Sequence, residues 1–350
     1  MKVLITGGCG FVGSNAAIKF IERGHEVIAF DNLSRKGSEF NLEELKHLKG
    51  FHFIMGDIRK MEDFDQIPEV DGIIHTAAQP GVPTSINDPR YDFEVNAQGT
   101  FNVLEYARRE KTPTIFCSTN KCYSCEINNI RAEINGDRRV WPEKYVNGIP
   151  EDFPVGAGGK AAYSPYGCSK YLGDRYCQEY FNTYGVPTVV NRMSCIAGER
   201  QMGFEEQGWL AWFVYARIFD LRVNIYGDGK QVRDVLYVGD LADLFLEELT
   251  NIEFHKGQVY NIGGGPENAV SLIEVLDHLV ALDGSTFLTT YQDWRPADHL
   301  IYISDIRKIS KYWEPKVGAI ETVDKIWNWA NIPENKSKIW KMLQGVIGGK

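Results

Sequence analysis

The chain has 350 residues, of which 24% are charged and 43% are hydrophobic, and its formal net charge is −9. These values are ordinary for a globular protein, and the length suffices for one large α/β unit or for two domains. The acidic balance leaves no basic excess that could neutralise phosphates. We therefore expect neither nucleic acid nor a membrane surface as a partner.

The chain enters a strand pattern at once, in KVLITGG from Lys2 to Gly8, without a charged leader and apolar segment. No uninterrupted apolar run reaches the roughly 20 residues that a bilayer span needs. We therefore expect a cytoplasmic protein. Its seven cysteines are odd in number and scattered, which suits reduced thiols better than disulfides. The CxxC of Cys122 and Cys125 has no second ligand pair at suitable spacing, so we expect no metal site.

Strand-like apolar runs alternate with helical patterns through the first half of the chain. The runs are VLITG, EVIAF, FHFIM, GIIHTAA and TIFCS, and a long helix is predicted before the last, from about Tyr91 to Arg109. Strict alternation predicts right-handed crossovers and a parallel sheet covered on both faces. The predicted fold class is therefore α/β, with a Rossmann-type doubly wound parallel sheet.

This alternation breaks between about residues 124 and 162, where Gly, Pro, Asn and mixed charges follow no clear period. We predict a long excursion there, near the active site rather than in the core. A helix from Pro165 to about Tyr184 and the strand PTVVNR resume the pattern, and shorter mixed elements follow as a smaller α/β C-terminal region. The predicted domains are 1–192 with roughly 236–268 for the dinucleotide, and 193–235 with 269–350 for the substrate.

The glycine-rich stretch ITGGCGFVGS follows the first strand and opens the first helix, with glycines at Gly7, Gly10 and Gly13. Small residues permit a tight turn and close approach to a pyrophosphate, and the helix N-terminus offers unpaired N–H groups. Asp31 ends the second strand, where a carboxylate can accept both ribose hydroxyls of an adenosine. This arrangement favours NAD over NADP, although Arg35 and Lys36 could receive a 2′-phosphate.

Tyr166 and Lys170 lie four residues apart in SPYGCSK, behind a proline that can open a helix. With Pro165 at the first helical position and Ser164 as its cap, both side chains project from one helix face. A nearby positive charge lowers the pKa of an acidic group by roughly 1 to 3 units, which would make the phenol a usable base. Alone, the pair is more typical of an amphipathic helix surface.

Further motifs occur in the order that a known family shows. They are TGGCGFVG, the GDI of Gly56–Ile58, the HTAA of His75–Ala78, Asn96, the CSTNKCY of Cys117–Tyr123 and YGCSK. With them, the chain resembles the extended short-chain dehydrogenase/reductase family of nucleotide-sugar enzymes over nearly its whole length. The resemblance implies a catalytic set of Thr119, Tyr166 and Lys170, in which Lys170 holds the nicotinamide ribose and Tyr166 moves the proton while NAD takes the hydride. It also implies these NAD-binding residues: Gly7, Gly10, Phe11, Val12, Gly13, Asp31, Asn32, Ser34, Arg35, Asp57, Ile58, Ala77, Ala78, Asn96, Tyr166 and Lys170.

The residues after Thr119 distinguish branches of this family. Its sugar 4,6-dehydratases carry Asp-Glu there, because eliminating water needs an additional acid and base. Here the positions are Asn120 and Lys121, which disfavours dehydration. STNK, RQMGFEEQGWLAWF and GDGKQVRDVLYVGD look instead like the CDP-paratose 2-epimerase group, also called CDP-tyvelose epimerase. Cys122 and Ser124 depart from the Val and Gly usual there, which leaves the sugar open.

The candidate substrate-binding residues are Thr119, Gln207, Trp209, Arg233 and Arg295. Both arginines match positions that the family uses for a nucleotide diphosphate, and a planar guanidinium can bind phosphate with two hydrogen bonds. A structural pair of Arg233 with Asp234 or Asp240 is the alternative. A core role is equally open for Trp209.

Together these motifs and the resemblance imply an isomerase, an NAD-dependent 2-epimerase of a CDP- or GDP-hexose that acts through a transient 2-keto sugar. A GDP-mannose/GDP-glucose 2-epimerase, a UDP-sugar 4-epimerase and a nucleotide-sugar reductase are the alternatives among enzymes. A catalytically silent NAD-binding sensor is the alternative outside them. We also expect a homo-oligomer, a dimer or tetramer, because many relatives pair through the helices corresponding to residues 165–184 and 91–109.

Overall fold

The computed structural model describes residues 1–156, 164–295 and 298–347, with the backbone alone at 346 and 347. In chain order, its strands are β1 Lys2–Thr6, β2 Glu26–Asp31, β3 Phe51–Met55, β4 Gly72–His75, β5 Thr114–Thr119, β6 Glu133–Asn135, β7 Arg138–Val140, β8 Thr188–Met193, β9 Cys195–Ala197, β10 Val223–Tyr226, β11 Val232–Tyr237, β12 Val259–Ile262, β13 Ala269–Ser271, β14 Thr289–Gln292 and β15 Ile301–Tyr302.

The helices in the same ranges are α1 Phe11–Glu22, α2 Ser38–Leu45, α3 Val82–Asn87, α4 Pro89–Phe93, α5 Gly99–Glu110, α6 Pro165–Tyr184, α7 Trp209–Ile218, α8 Val238–Thr250, α9 Ile252–His255, α10 Leu272–Asp283, α11 Ala319–Asn331 and α12 Pro333–Ile347. A π-helical turn spans Glu94–Gln98, and 3₁₀ turns span Met61–Gln66, Asn120–Cys122, Cys125–Asn129, Glu143–Tyr145, Pro266–Asn268 and Ile309–Lys311. Across the described residues, no helix combines the length and the apolar character that crossing a bilayer requires.

The chain divides into two compact units, each assembled from three stretches. The first unit comprises Met1–Cys122, Ser164–Met193 and Val238–Tyr260. The second unit comprises Tyr123–Tyr163, Ser194–Tyr237 and Asn261–Lys350.

A seven-stranded parallel sheet dominates the first unit, in the order β12-β8-β5-β4-β1-β2-β3. Strands β4 and β5 are buried along their whole length, as expected where both faces of a sheet are covered. The chain adds β2 and β3 on one side of β1, and β4 and β5 on the other. This reversal opens a crevice at the carboxyl ends of β1 and β4, where such folds bind ligands. The predicted doubly wound parallel sheet is confirmed.

Helix α6 begins and ends where the sequence predicts. The Ser164 side chain accepts the N–H of Gly167 at 3.1 Å, and Gly185 adopts the left-handed conformation that stops the helix. Along its buried face, a Cβ on Gly173 would come within 2.8 Å of the Phe116 ring. The glycine therefore lets α6 pack closely against β5.

The long helix predicted from about Tyr91 to Arg109 is interrupted. Instead, α4 leads into the π-helical turn Glu94–Gln98, and α5 follows. Asn96 lies in this turn, where its Oδ1 accepts the Gln79 N–H and its Nδ2 donates to the Gln79 carbonyl, both at 2.9 Å. The sequence analysis did not predict this π turn, and such turns recur at functional sites.

The second unit contains several small strand groups. Strands β13, β11 and β15 are adjacent in that order, β9 also pairs with β11, and β10 pairs with β14 in parallel. Strands β6 and β7 form an antiparallel hairpin. Helices α7, α10, α11 and α12 complete this unit.

Residues 123–156 belong to the second unit, whereas the sequence analysis placed them in the dinucleotide-binding domain. Tyr123 provides the physical reason, because its ring is buried and stacks on Tyr302 with the centroids 6.4 Å apart. Its hydroxyl donates to Asn261 at 2.6 Å, and the Asn261 amide donates to the Ile149 carbonyl at 2.8 Å. Of the predicted excursion, residues 157–162 lie outside the described part of the chain.

Candidate functional site

The turn after β1 leaves no room for a side chain at Gly7 or at Gly13. Gly7 has a φ of +68°, and a Cβ there would lie 2.7 Å from the Ala77 Cα. A Cβ on Gly13 would collide with the Gly7 carbonyl oxygen. Gly10 precedes α1 and offers no side-chain cap, which leaves the N–H groups of the first helical turn to other acceptors. This cradle fits a pyrophosphate at the N-terminus of the helix that Phe11 and Val12 begin.

Asp31 ends β2 beside this turn. Its carboxylate accepts the N–H of Cys9 at 3.0 Å and the N–H of Leu33 at 2.8 Å. Burial raises the pKa of Asp31, and these backbone donors act in the opposite direction. The structure therefore holds a carboxyl group at the strand end where an adenosine ribose is expected.

The loop after β3 joins the candidate adenine residues to the loop after β2. Asn32 donates to Asp57 at 3.0 Å, and Arg59 donates to the same carboxylate at 2.6 Å. Burial of Asp57 opposes its ionisation, but these donors hold its pKa at about 2. Ile58 is buried. Burial lowers the pKa of Arg35 to about 10.

Ala77 and Ala78 follow β4, the strand next to β1. The Ala77 N–H donates to the Thr6 hydroxyl at 3.4 Å, and its backbone lies against Gly7. Of the remaining candidates, Ser34 is exposed, and its N–H donates to Asn32 at 3.0 Å. The structure thus places most of the predicted NAD residues at the carboxyl ends of β1, β2, β3 and β4, whereas Asn96 lies in the π-helical turn and Tyr166 and Lys170 lie on α6.

The three predicted catalytic residues come together at the end of β5. Thr119 is the last residue of that strand, and its side chain shares a hydrogen bond with the Tyr166 hydroxyl. Lys170 lies one turn further along α6 and is buried, with its ammonium 4.3 Å from the centroid of the Phe116 ring. This arrangement can move a proton to or from a ligand hydroxyl.

The predicted fall in the Tyr166 pKa is wrong for this structure. Burial raises the pKa of Tyr166, and the hydrogen bond from Thr119 offsets this only in part. Burial also lowers the pKa of Lys170. The free-energy cost of burying the phenolate is larger than the stabilisation that its neighbours provide. The four-residue spacing could not show this, because it contains no information about burial.

A buried carboxylate that the sequence analysis missed lies beneath these residues. Asp92 is 1% exposed and accepts hydrogen bonds from Ser169 at 2.6 Å, Gln79 at 2.8 Å and Asn96 at 3.0 Å. Burial raises the pKa of Asp92, while these donors and the Lys170 charge lower it. The sequence could have indicated this carboxylate, because Asp92 precedes Asn96 by one helical turn and Ser169 directly precedes Lys170.

A cavity in the second unit gathers the predicted nucleotide-binding residues. Gln207, Trp209, Arg233 and Arg295 all line it. Arg233 donates to Asp298 at 2.7 Å and to the His299 carbonyl at 2.6 Å. Its ion-pair partner is therefore Asp298, which was not one of the two partners considered from the sequence, Asp234 and Asp240.

Arg295 lies flat against an aromatic ring in this cavity. Its guanidinium carbon is 3.9 Å from the centroid of Tyr226, and its Nη2 donates to the Glu205 carbonyl at 2.9 Å. Trp209 donates to the sulfur of Cys195 at 3.1 Å while lining the cavity, so it has both a structural contact and an accessible face. The sequence analysis missed Tyr226 and Asp298, because no local pattern marks them.

The described residues contain no group of three or more His, Cys, Asp or Glu side chains arranged to hold a metal ion.

Comparison with known proteins identifies the family. The model of the NAD dependent epimerase/dehydratase family matches residues 3–263. A CDP-paratose 2-epimerase of Salmonella typhi is 37% identical over 343 residues, covering 95% of this chain and 99% of the relative. A putative UDP-glucose 4-epimerase of Methanocaldococcus jannaschii is 31% identical over 334 residues, covering 93% of this chain and 97% of the relative.

A solved structure shows the same similarity. The structure of Thermus thermophilus UDP-glucose 4-epimerase in complex with NAD superposes with a TM-score of 0.77 at 29% identity, covering 95% of this chain and all of the other. The chain therefore belongs to the NAD dependent epimerase/dehydratase family, which confirms the predicted family, enzyme class and NAD cofactor.

Proposed function

We propose that this chain is an NAD-dependent nucleotide-sugar 2-epimerase whose substrate is a CDP-hexose. The observation that carries the proposal is the hydrogen bond between Tyr166 and Thr119, with Lys170 one helical turn away. The choice of CDP and of C2 is supported by similarity to the Salmonella typhi CDP-paratose 2-epimerase over nearly the full length of both chains.

The first unit would hold the cofactor through residues at four strand ends. The cradle of Gly7, Gly10 and Gly13 would hold the pyrophosphate, and Asp31 would accept the adenosine ribose hydroxyls. Asp57 and Ile58 would lie at the adenine, and Ala77 and Ala78 at the nicotinamide. Bound NAD supplies a hydride acceptor that can return the hydride to the opposite face of the same carbon.

The protein's own part is to move one proton. Tyr166 takes the proton of the C2 hydroxyl as the C2 hydrogen leaves as a hydride, which gives a 2-keto sugar. When the hydride returns, Tyr166 gives the proton back to the C2 oxygen, so no net oxidation results. Thr119 hydrogen-bonds that oxygen. Because burial raises the Tyr166 pKa, the phenolate depends on Thr119 and on the positive charge of Lys170 for its stability.

The second unit would hold the nucleotide. Arg233 and Arg295 line one cavity, and both guanidinium groups can bind a diphosphate. Inverting C2 requires that the keto sugar present its other face while it remains bound. A diphosphate held by two arginines keeps the intermediate from dissociating during that turn, which makes remote binding energy useful to catalysis.

A UDP-sugar 4-epimerase is the second candidate, favoured by the similarity to the putative UDP-glucose 4-epimerase of Methanocaldococcus jannaschii. It would use the same three residues on a different carbon. A dehydratase is disfavoured, because Asn120 and Lys121 cannot supply the carboxylic acid and carboxylate expected after Thr119.

The test is a substrate screen with the full chain. CDP-, GDP- and UDP-hexoses deuterated at C2 are incubated without added NADH and analysed by NMR. We expect inversion at C2 of a CDP-hexose, with the deuterium retained at C2 of the product. Inversion at C4 would contradict the proposed carbon, and faster turnover of a GDP- or UDP-hexose would contradict the proposed nucleotide. Conversion that stalls without NADH would identify a reductase.

The Tyr166→Phe variant tests the acid/base role in the same assay. We expect it to retain bound NAD and to lose turnover by about 10²- to 10⁴-fold, the usual contribution of a positioned acid/base. Tyr176→Phe is the matched control, because Tyr176 lies on the same helix with 41% of its surface exposed. Near-normal turnover by Tyr166→Phe would contradict the assignment.

A further inference from the structure

The hairpin of β6 and β7 is anchored by two adjacent arginines that make separate ion pairs. Arg138 donates twice to Glu274, at 2.6 and 2.7 Å. Arg139 donates twice to Asp228, at 2.7 and 2.6 Å. Paired hydrogen bonds of this kind fix the plane of a guanidinium group. The two arginines therefore offer a natural comparison, since they differ mainly in what else they touch.

Arg139 also contacts Trp294, the residue before Arg295. Its guanidinium carbon lies 5.3 Å from the centroid of a Trp294 ring. The indole packs against the backbone of Gly227, where an added Cβ would lie 2.7 Å from the ring. Trp294 is 42% exposed, so burial alone does not fix it. Asp228 follows Gly227 directly, so one short turn supplies both the surface beneath the indole and the anchor of Arg139.

Contacts of both its side chain and its main chain restrain Arg295. The contacts of its guanidinium with Tyr226 and with the Glu205 carbonyl orient the end of the side chain. On the main chain, the Arg295 carbonyl accepts the Asp298 N–H at 3.4 Å. Trp294, the preceding residue, packs against Gly227, and the guanidinium group of Arg139 contacts its indole ring.

We propose that Arg139 is a positioning residue for nucleoside-diphosphate binding, which acts by fixing Trp294 and thereby aiming Arg295 into the cavity. This role rests on the proposed function, in which Arg295 binds the diphosphate. The hairpin then contributes to substrate affinity without touching the substrate.

The experiment measures CDP binding to the full chain by calorimetry. The variants are Arg139→Ala, Arg295→Ala, their combination, and Arg138→Ala as the matched control. We expect Arg139→Ala to weaken CDP binding by about two- to tenfold, as for loss of a cation–π contact. Arg138→Ala should bind CDP as the unchanged protein does. In the Arg295→Ala background, Arg139→Ala should have no further effect, because residues that act through one another are not additive.

A steady-state readout separates positioning from general damage to the fold. Arg139→Ala should raise KM while leaving kcat unchanged, since the residues in the first unit are intact. If Arg139→Ala destabilises the fold, Trp294→Leu tests the same contact while keeping the ion pair with Asp228, and it should reproduce the loss of affinity.

The outcomes that would overturn the inference are distinct from those that test the proposed function. An equal loss from Arg139→Ala in both backgrounds, or the same loss from Arg138→Ala, would show that the hairpin acts on overall stability and not on Arg295. If Arg295→Ala itself leaves CDP affinity unchanged, the diphosphate assignment in the proposed function is wrong, and the positioning role falls with it.

Discussion

One ion pair of the first compact unit and one of the second differ in how far they are buried. In the first unit, Arg192 and Asp174 form an ion pair whose side chains are 5% and 0% exposed, and Ser118 of β5 donates to Asp174 at 2.8 Å. In the second unit, the Arg233–Asp298 pair is 12% and 31% exposed. A buried charge that loses its partner is costly, whereas a partly exposed pair exchanges partners at little cost. We infer that the first pair holds its groups in place, whereas under the proposed function the second pair releases Arg233 to a charged ligand.

The largest expected effect lies in the cradle of the first unit. In Gly13→Ala, the new Cβ would collide with the Gly7 carbonyl oxygen, so the turn has to open. We expect the purified protein to lose most of its bound NAD and its turnover, measured as NAD released per chain after denaturation. Gly318→Ala is the control, because a Cβ there meets no heavy atom closer than 3.7 Å. If Gly13→Ala kept its full content of NAD, the close contact between Gly13 and the Gly7 carbonyl would not be required for NAD binding.

A smaller effect is expected from the partly exposed pair in the second unit. Asp298→Asn keeps the shape of the side chain but removes the charge that competes with a phosphate for Arg233. We expect CDP to bind about two- to fivefold more tightly, the range for a partly exposed ion pair. Asp283→Asn is the control, because Asp283 pairs with Arg217 and does not line the cavity. Unchanged or weaker CDP binding would show that Asp298 does not compete with a phosphate for Arg233, and the difference inferred between the two pairs would then be wrong.

The last expected effect is on the dependence of stability on pH in the first unit. Glu248 is fully buried and accepts a hydrogen bond from Asn191 at 2.8 Å. Burial raises its pKa from 4.5 to about 8. The folded chain therefore keeps a proton that the unfolded chain releases, so this stabilisation is full below the unfolded pKa and is lost as pH rises through the folded pKa.

Glu248→Gln stays neutral at every pH, and its melting temperature should therefore fall less than that of the unchanged protein between about pH 5 and pH 8. Glu253→Gln, an exposed change beside Lys256, should follow the unchanged protein. The same fall in all three proteins would show that Glu248 does not titrate as a buried group.

Local signals explain which features could be predicted from the sequence. Ser164, Pro165 and Gly185 mark both ends of α6, and the positions of Tyr166 and Lys170 on one face follow from the helix alone. The alternation of strands and helices was likewise sufficient for the parallel sheet. The ends of α6 depend on contacts between residues that are near one another along the chain, and the sheet is indicated by a pattern within each strand and helix.

The features that could not be predicted depend on tertiary packing. The Tyr166 pKa is governed by burial, and the domain membership of residues 123–156 by the contacts of Tyr123 with Tyr302 and Asn261. Arg233 finds its partner Asp298 at a separation of 65 residues, and no periodic pattern links the two positions. The sequence therefore indicated four residues of this cavity, Gln207, Trp209, Arg233 and Arg295, but not the partner of Arg233.

The threefold division of each unit has a consequence for biosynthesis. The first unit is complete only after Tyr260, so its parallel sheet cannot finish assembling while the early strands alone have left the ribosome. Nascent chains would expose unpaired strand edges during that interval, a state prone to aggregation. No continuous fragment consists of one unit alone, so truncation cannot separate the two units, and point substitutions are the appropriate tools.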